Sequence, residues 1–234
     1  MIVHRRADQR FHSDFDWLDS WHTFTFGHHQ DPVWNGFRTL RVINDDTVAP
    51  GMGFGTHGHR DMEIVSYVLS GALEHRDSLG TGSVIRPGDV QRMSAGTGGR
   101  HSEFNGSKTE PVHFLQIWIL PSKAGFPASY EQKTFPELSA TSSGGFRLVA
   151  SGDGREGSVT IHQDAAIHAA RLAAGEAASL PLRAGRHGWL HVARGAVTVG
   201  PLALGAGDGL GVRDEASLTA TASADAELIW FDLP

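Results

Sequence analysis

The chain repeats itself. A strand-like run from Glu63 to Ser70 ends at Gly71, a tight-turn triplet Pro87-Gly88-Asp89 follows, and then comes Gln116-Ile117-Trp118-Ile119. The same order returns as His187 to Arg194 with Gly195, then Ala206-Gly207-Asp208, then Leu228-Ile229-Trp230-Phe231. A repeat of this kind marks two copies of one supersecondary unit. The runs are short, rich in β-branched and aromatic residues, and bounded by Gly, Pro, Asn or Asp, as strands between tight turns are. Helical signal is confined to about one turn between Pro127 and Gln132. The aromatic-rich stretch from Asp14 to Phe26 is placed over an open end of a sheet. The expectation is an all-β chain of two tandem barrels, residues 1–132 and 133–234, with the boundary between Pro121 and Glu137, where three prolines fall.

Composition narrows the function. The 234 residues include no cysteine, which excludes disulfides, thiolate metal ligands and a cysteine nucleophile. The formal net charge is −6, with acids and bases interspersed and no basic stripe of the kind that follows a phosphate backbone, so no direct nucleic-acid contact is expected. The opening MIVHRRADQR lacks the apolar core of a signal peptide, and no apolar run approaches the roughly 20 residues of a membrane span. A cytoplasmic protein without membrane contact is expected. A monomer is expected too, since two barrels in one chain already cover each other's edges.

Chemistry concentrates in two clusters: His57-Gly58-His59, and His101-Ser102-Glu103 some forty residues later. Side chains two apart on a strand share a face. Both imidazoles of the first cluster therefore point one way, and so do His101 and Glu103. Two such strands facing each other across a small barrel would offer three nitrogens and a carboxylate oxygen to one metal ion. Glu63 has the same parity as His57 and His59, so five candidates compete for a usual four protein positions. The second repeat carries Pro181 and Arg183 where the first has His57 and His59, so only the first half is expected to bind metal. Isolated histidines on strands are usually just hydrogen-bonded, and His4, His12, His22, His28, His29, His75, His162, His168, His187 and His191 are read that way. Met52, Phe54, Gln116 and Trp118 are candidates for the wall of a substrate pocket, set against the plainer reading of core residues.

Gly51-Met52-Gly53-Phe54-Gly55-Thr56-His57-Gly58-His59 with Glu63 resembles the first cupin motif, and Gly98-Gly99-Arg100-His101 with Asn105 resembles the second. Arg41-Val42-Ile43-Asn44-Asp45-Asp46, Ser94-Ala95-Gly96-Thr97-Gly98, His101-Ser102-Glu103-Phe104-Asn105 and Gln116-Ile117-Trp118 are similar to the pirin family of bicupins, in particular its bacterial quercetin 2,3-dioxygenase type. The resemblance is strong from about Asp16 to Gln163 and weaker beyond. It implies two cupin barrels (double-stranded β-helices, or jelly rolls), the second degenerate. It implies a metal held by His57, His59, His101 and Glu103, with Glu63 beside it. One departure is Gly58, where the family usually has proline; glycine loosens the backbone between two ligands.

Imidazoles with one carboxylate suit one divalent ion: Fe(II) first by the resemblance, with Ni, Zn, Cu, Co or Mn as alternatives, since affinity alone does not select. Four protein ligands leave open positions, the mark of a catalytic rather than a structural site. The expected reaction is cleavage of a flavonol such as quercetin by O2, with Glu103 or else Glu63 taking the proton of the 3-hydroxyl. The competing class is a non-enzymatic metal-binding regulator that acts through a protein partner, as the nuclear pirins imply. A deep apolar pocket at the metal would favour the enzyme, and a flat charged surface the partner. Metal affinity is expected to fall below about pH 6 to 6.5, where ordinary imidazoles take up protons.

Overall fold

A computed structural model describes residues 2–182, 184–213 and 217–234. Arg183, one of the two positions compared with the histidine pair, lies outside them. The chain is almost entirely strand and turn, and the helical segments among the described residues are the 3-10 turns Ala7–Gln9, Pro136–Ser139 and Arg155–Gly157. The turn expected at Pro127 to Gln132 is displaced. Ser129–Thr134 is a strand paired with Asp89–Ser94, and the helical turn starts instead at Pro136, whose fixed φ suits a first helical position. Among the described residues no helix is long and apolar enough to cross a membrane.

The chain folds as two compact units: Phe11–Thr134 with Val159–Gln163, and Met1–Arg10 with Phe135–Ser158 and Asp164–Pro234. The first is a cupin jelly roll of two antiparallel sheets. One sheet runs Ser129–Thr134, Asp89–Ser94, Glu63–Ser70, Val112–Ile119, Leu40–Val48, Leu18–His22, Phe11–Phe15. The other runs Gly53–His59, Gly99–Asn105, Leu73–Asp77, Gly82–Ile85. Leu18, Val48, Val68, Val112 and Phe114 from the larger sheet pack with Leu73 and Ile85 from the smaller, which fixes the two face to face. The aromatic stretch after Asp14 extends the larger sheet as a hairpin, Phe11–Phe15 against Leu18–His22.

The second unit is the other cupin, with its own core around Leu180, Leu190, Val197, Leu204, Leu210 and Leu228. The sequence repeat maps onto equivalent strands. Glu63–Ser70 pairs antiparallel with Val112–Ile119 and Asp89–Ser94; His187–Arg194 pairs in the same way with Ala226–Leu233 and Gly209–Arg213. The glycine that closes each first strand shows why the repeat is exacting. Gly71 sits at φ 82° with Pro111 O only 2.6 Å from where a Cβ would stand, and Gly195 at φ 72° with Asp225 O at 1.9 Å. Only glycine fits that left-handed turn against a neighbouring backbone. The unit also holds an edge strand from the far end of the chain: Ile2–Arg5 pairs with Gly209–Arg213.

Candidate metal centre

The strands Gly53–His59 and Gly99–Asn105 pair antiparallel with His101 directly opposite His57. His57, His59, His101 and Glu103 therefore share one face, turned into the barrel. The register shifts between His101 and Glu103, so that Glu103 faces Phe54. The irregularity brings the Gly55 carbonyl to 2.9 Å from His57 Nδ1, which donates to it. His57 is thereby left with Nε2 as its lone-pair nitrogen, and the hydrogen bond fixes the ring's orientation.

The ligand atoms of His57, His59 and His101 lie within 4.8 Å of one another. The ring centroids are 4.7 Å (His57–His59), 4.5 Å (His57–His101) and 5.0 Å (His59–His101) apart. Burial, reinforced by the neighbouring imidazoles, pushes the His59 pKa down to about 4 and that of His101 down to about 3. Neither nitrogen of His101 has a hydrogen-bond partner among the described residues, although the ring is only 2 % exposed. A buried imidazole left unpaired is costly, and a neutral one among two others has its lone pair ready for a cation. The donor set fits a metal ion.

Glu103 reaches across the barrel. Its Oε1 accepts from Ser66 Oγ at 3.1 Å and its Oε2 from Gln116 Nε2 at 2.7 Å, both on the larger sheet. It belongs to a second cluster with His75 and His101, also within 4.8 Å. The structure does not bring Glu63 to these groups. Asp61, at φ 50°, breaks the chain between the two strands, so the parity counted from His57 does not carry through. Glu63 lies in the larger sheet, where its carboxylate accepts from Ser94 Oγ at 2.8 Å and from the backbone N–H of His162 at 3.1 Å.

A cavity of about 330 Å³ opens onto the imidazoles and Glu103. Phe54, Gln116 and Trp118 line it, joined by Phe15, Trp17 and Phe26. The Trp118 ring stands edge-on to His59 at 4.9 Å and to Phe26 at 5.5 Å. Met52 is not in this wall; it is 45 % exposed. Two features lie outside the clusters singled out in the sequence. His75 is fully buried beside His101, with Nε2 3.3 Å from Asp77 Oδ2, and the spacing His75-Arg76-Asp77 obeys the same one-face rule that singled out His57 and His59. The cavity also has a polar wall of Ser20, His22, Asn44 and Asp46, which isolated positions in the sequence do not announce.

The Pirin family model matches residues 4–119, and the model of the quercetinase C-terminal cupin domain matches residues 148–233. A quercetin 2,3-dioxygenase of Escherichia coli K12 is 45 % identical over 234 residues, spanning 100 % of this chain and 99 % of the relative. The chain belongs to the pirin family. A putative quercetin 2,3-dioxygenase of Mycobacterium tuberculosis is 45 % identical over 230 residues, 97 % of this chain and 93 % of the relative. The crystal structure of the bacterial pirin YhhW of E. coli, in complex with nickel(II), superposes with a TM-score of 0.93 at 45 % identity, covering 100 % of this chain and 99 % of that one.

Proposed function

We propose that this pirin is a metal-dependent dioxygenase that cleaves flavonols such as quercetin with O2. The observation that carries the reading is one cavity with three clustered imidazoles and a buried carboxylate on one side and an aromatic wall around them. A planar aromatic ligand matches such a wall, whereas a partner-binding surface would be flat and charged. Full-length relatives that are named quercetin 2,3-dioxygenase, and a related pirin structure with nickel(II), support it. His57, His59, His101 and Glu103 would hold one divalent ion, Fe(II) as first choice, with Ni, Zn, Cu, Co or Mn as alternatives. When bound, such an ion acidifies a coordinated hydroxyl and couples the substrate electronically to O2.

The chain's own part is orientation and proton handling. Phe54 and Trp118 would hold the flavonol plane, with the 3-hydroxyl toward the imidazoles. Glu103, which lines the cavity and is held by Ser66 and Gln116, would accept the hydroxyl proton rather than Glu63, which is bonded to Ser94 and His162 instead. The ring is then cleaved with loss of carbon monoxide. The proposal includes a cytoplasmic monomer.

The test is elemental analysis of protein purified without chelators, together with quercetin absorbance in air. About one metal ion per chain and loss of the flavonol band are expected. His101→Ala should lower both by at least about 10- to 100-fold, the cost of disturbing even a residue that only orients a metal ligand. Full metal content and full turnover in His101→Ala would sink the reading. Tight metal without turnover after Fe(II) loading would move it to another substrate.

A further inference from the structure

The polar wall of the cavity is not used by the chemistry above. Ser20, His22, Asn44 and Asp46 are 2 %, 3 %, 4 % and 4 % exposed, yet they line a cavity whose other lining is largely aromatic. Buried polar groups cost free energy unless each finds partners. These four satisfy one another in two pairs. Ser20 Oγ donates to Asp46 Oδ1, and His22 Nδ1 donates to Asn44 Oδ1 at 2.8 Å. Ser13 Oγ lies 3.0 Å from His22 Nε2, which accepts from it. Each pairing leaves capacity over: the second oxygen of Asp46, and the two amide hydrogens of Asn44.

Register places these groups in two rows across the sheet. His22, Asn44, Gln116 and Ser66 stand opposite one another on successive strands, and Ser20 stands opposite Asp46 two positions along. Gln116 and Ser66 end the first row on Glu103. The strand of Asn44 and Asp46 is next to that of Gln116, and the strand of Ser20 and His22 is one further. At the spacing of strands in a sheet, the wall lies about 5 to 10 Å from the Gln116 strand. That is the reach of a second ring on a molecule whose first ring sits at the imidazoles.

We infer that Asp46, Asn44 and His22 form a second anchoring subsite, which recognises phenolic hydroxyls on the part of a polyhydroxylated aromatic substrate remote from the metal. The inference rests on the flavonol reading above and adds to it a specificity-determining surface. The second oxygen of Asp46 accepts a phenolic O–H, and the Asn44 amide donates to a phenolic oxygen. The His22–Asn44 bond holds that amide in place, and burial, which lowers the His22 pKa, keeps the imidazole neutral for the task. Burial raises the Asp46 pKa to about 7, so the accepting carboxylate is the main form above that pH, where the comparison is made.

The experiment compares quercetin with 3-hydroxyflavone, which keeps the 3-hydroxyl and lacks every other one. Dissociation constants are measured under argon, so that nothing turns over, on Fe(II)-loaded and on metal-free protein. A site built to bond a hydroxyl rejects the analogue that lacks it. Quercetin should bind at least about tenfold more tightly in both forms of the wild type, and the ratio should fall toward one in Asp46→Asn and, separately, in His22→Phe. Thermal melting checks that each variant is folded, and His22→Phe decides if Asp46→Asn is not. A wild-type ratio near one, or folded variants that keep the full ratio, would overturn the subsite. Turnover in air tests the other reading by itself. Preferential binding without cleavage of either flavonol would end the dioxygenase proposal and leave the subsite standing, whereas cleavage of both with no preference would do the reverse.

Discussion

At the residue scale, the imidazoles behave differently from what their sequence spacing implies. Ordinary histidines would begin to release a metal near pH 6.5. Burial changes this for His59 and His101, pushed to about 4 and about 3. The sign follows from proton uptake. Between about pH 6.5 and 4 the unfolded chain binds protons at these two positions and the native one does not, so stability of the metal-free fold falls as pH drops through that window. Protons then reach His59 and His101 mainly by unfolding the barrel. On acid titration, metal release and loss of the far-UV dichroism signal should coincide, with a midpoint below about pH 6. Release that runs ahead of unfolding, centred near 6.5, would mean that the rings are not sheltered. The clustering of the candidate ligands His57, His59 and His101 was legible, because same-face spacing depends only on the strand period. Glu63 was not separable from Glu103 by that rule, because a single left-handed residue, Asp61, resets parity and is invisible in a period count. The polar wall was illegible for a related reason. Ser20 and Asp46 meet through strand pairing, which no local pattern encodes.

At the element scale, the strand Gly53–His59 carries two candidate ligands and three glycines, an unfavourable composition for a strand. The glycines are not equivalent. A Cβ on Gly53 would fall 2.3 Å from Glu103 O and 2.5 Å from Phe104 Cα, so that glycine is required for the close approach of the two strands that carry the candidate ligands. Gly58, between the histidines, is not so confined. A Cβ there would meet Gly99 O at 3.6 Å and Arg100 Cγ at 3.7 Å, which is ordinary contact. Gly58→Ala should therefore stabilise the protein by about 0.4–1 kcal/mol, mainly by restricting the unfolded chain. That is a rise in melting temperature of about 1–4 °C for a chain of this size, measured by calorimetry. A lower melting temperature would show that the loosened backbone between the ligands is itself needed.

At the scale of the whole molecule, the repeat predicted two barrels because the strand–Gly, turn and Trp-bearing strand recur in both halves, and glycines such as Gly71 and Gly195 recur for the same steric reason. What the repeat could not show is where the chain's first residues go. Four residues, Ile-Val-His-Arg, carry no pairing information of their own, yet they form the edge strand next to Gly209–Arg213 in the C-terminal unit. The attachment is more than a ladder. Arg5 is 4 % exposed, Ala7 N–H donates to Asp208 Oδ1 at 2.7 Å, and His4 Nε2 lies 3.5 Å from Asp208 Oδ2. Asp208 belongs to the Ala206-Gly207-Asp208 turn of the second repeat, so the N-terminal segment braces a turn far away in sequence. Removing residues 1–10 should uncover the Gly209–Arg213 edge. Amide exchange there and in the paired strand His187–Arg194 should accelerate by at least about tenfold, the effect of losing roughly 1.4 kcal/mol of local protection. Exchange in Gly53–His59 and Gly99–Asn105, which lie in the other unit, should change far less. Uniform acceleration along the chain would instead mean that the two units open as one cooperative block, and no change at Gly209–Arg213 would mean that the added strand contributes nothing to the barrel it joins.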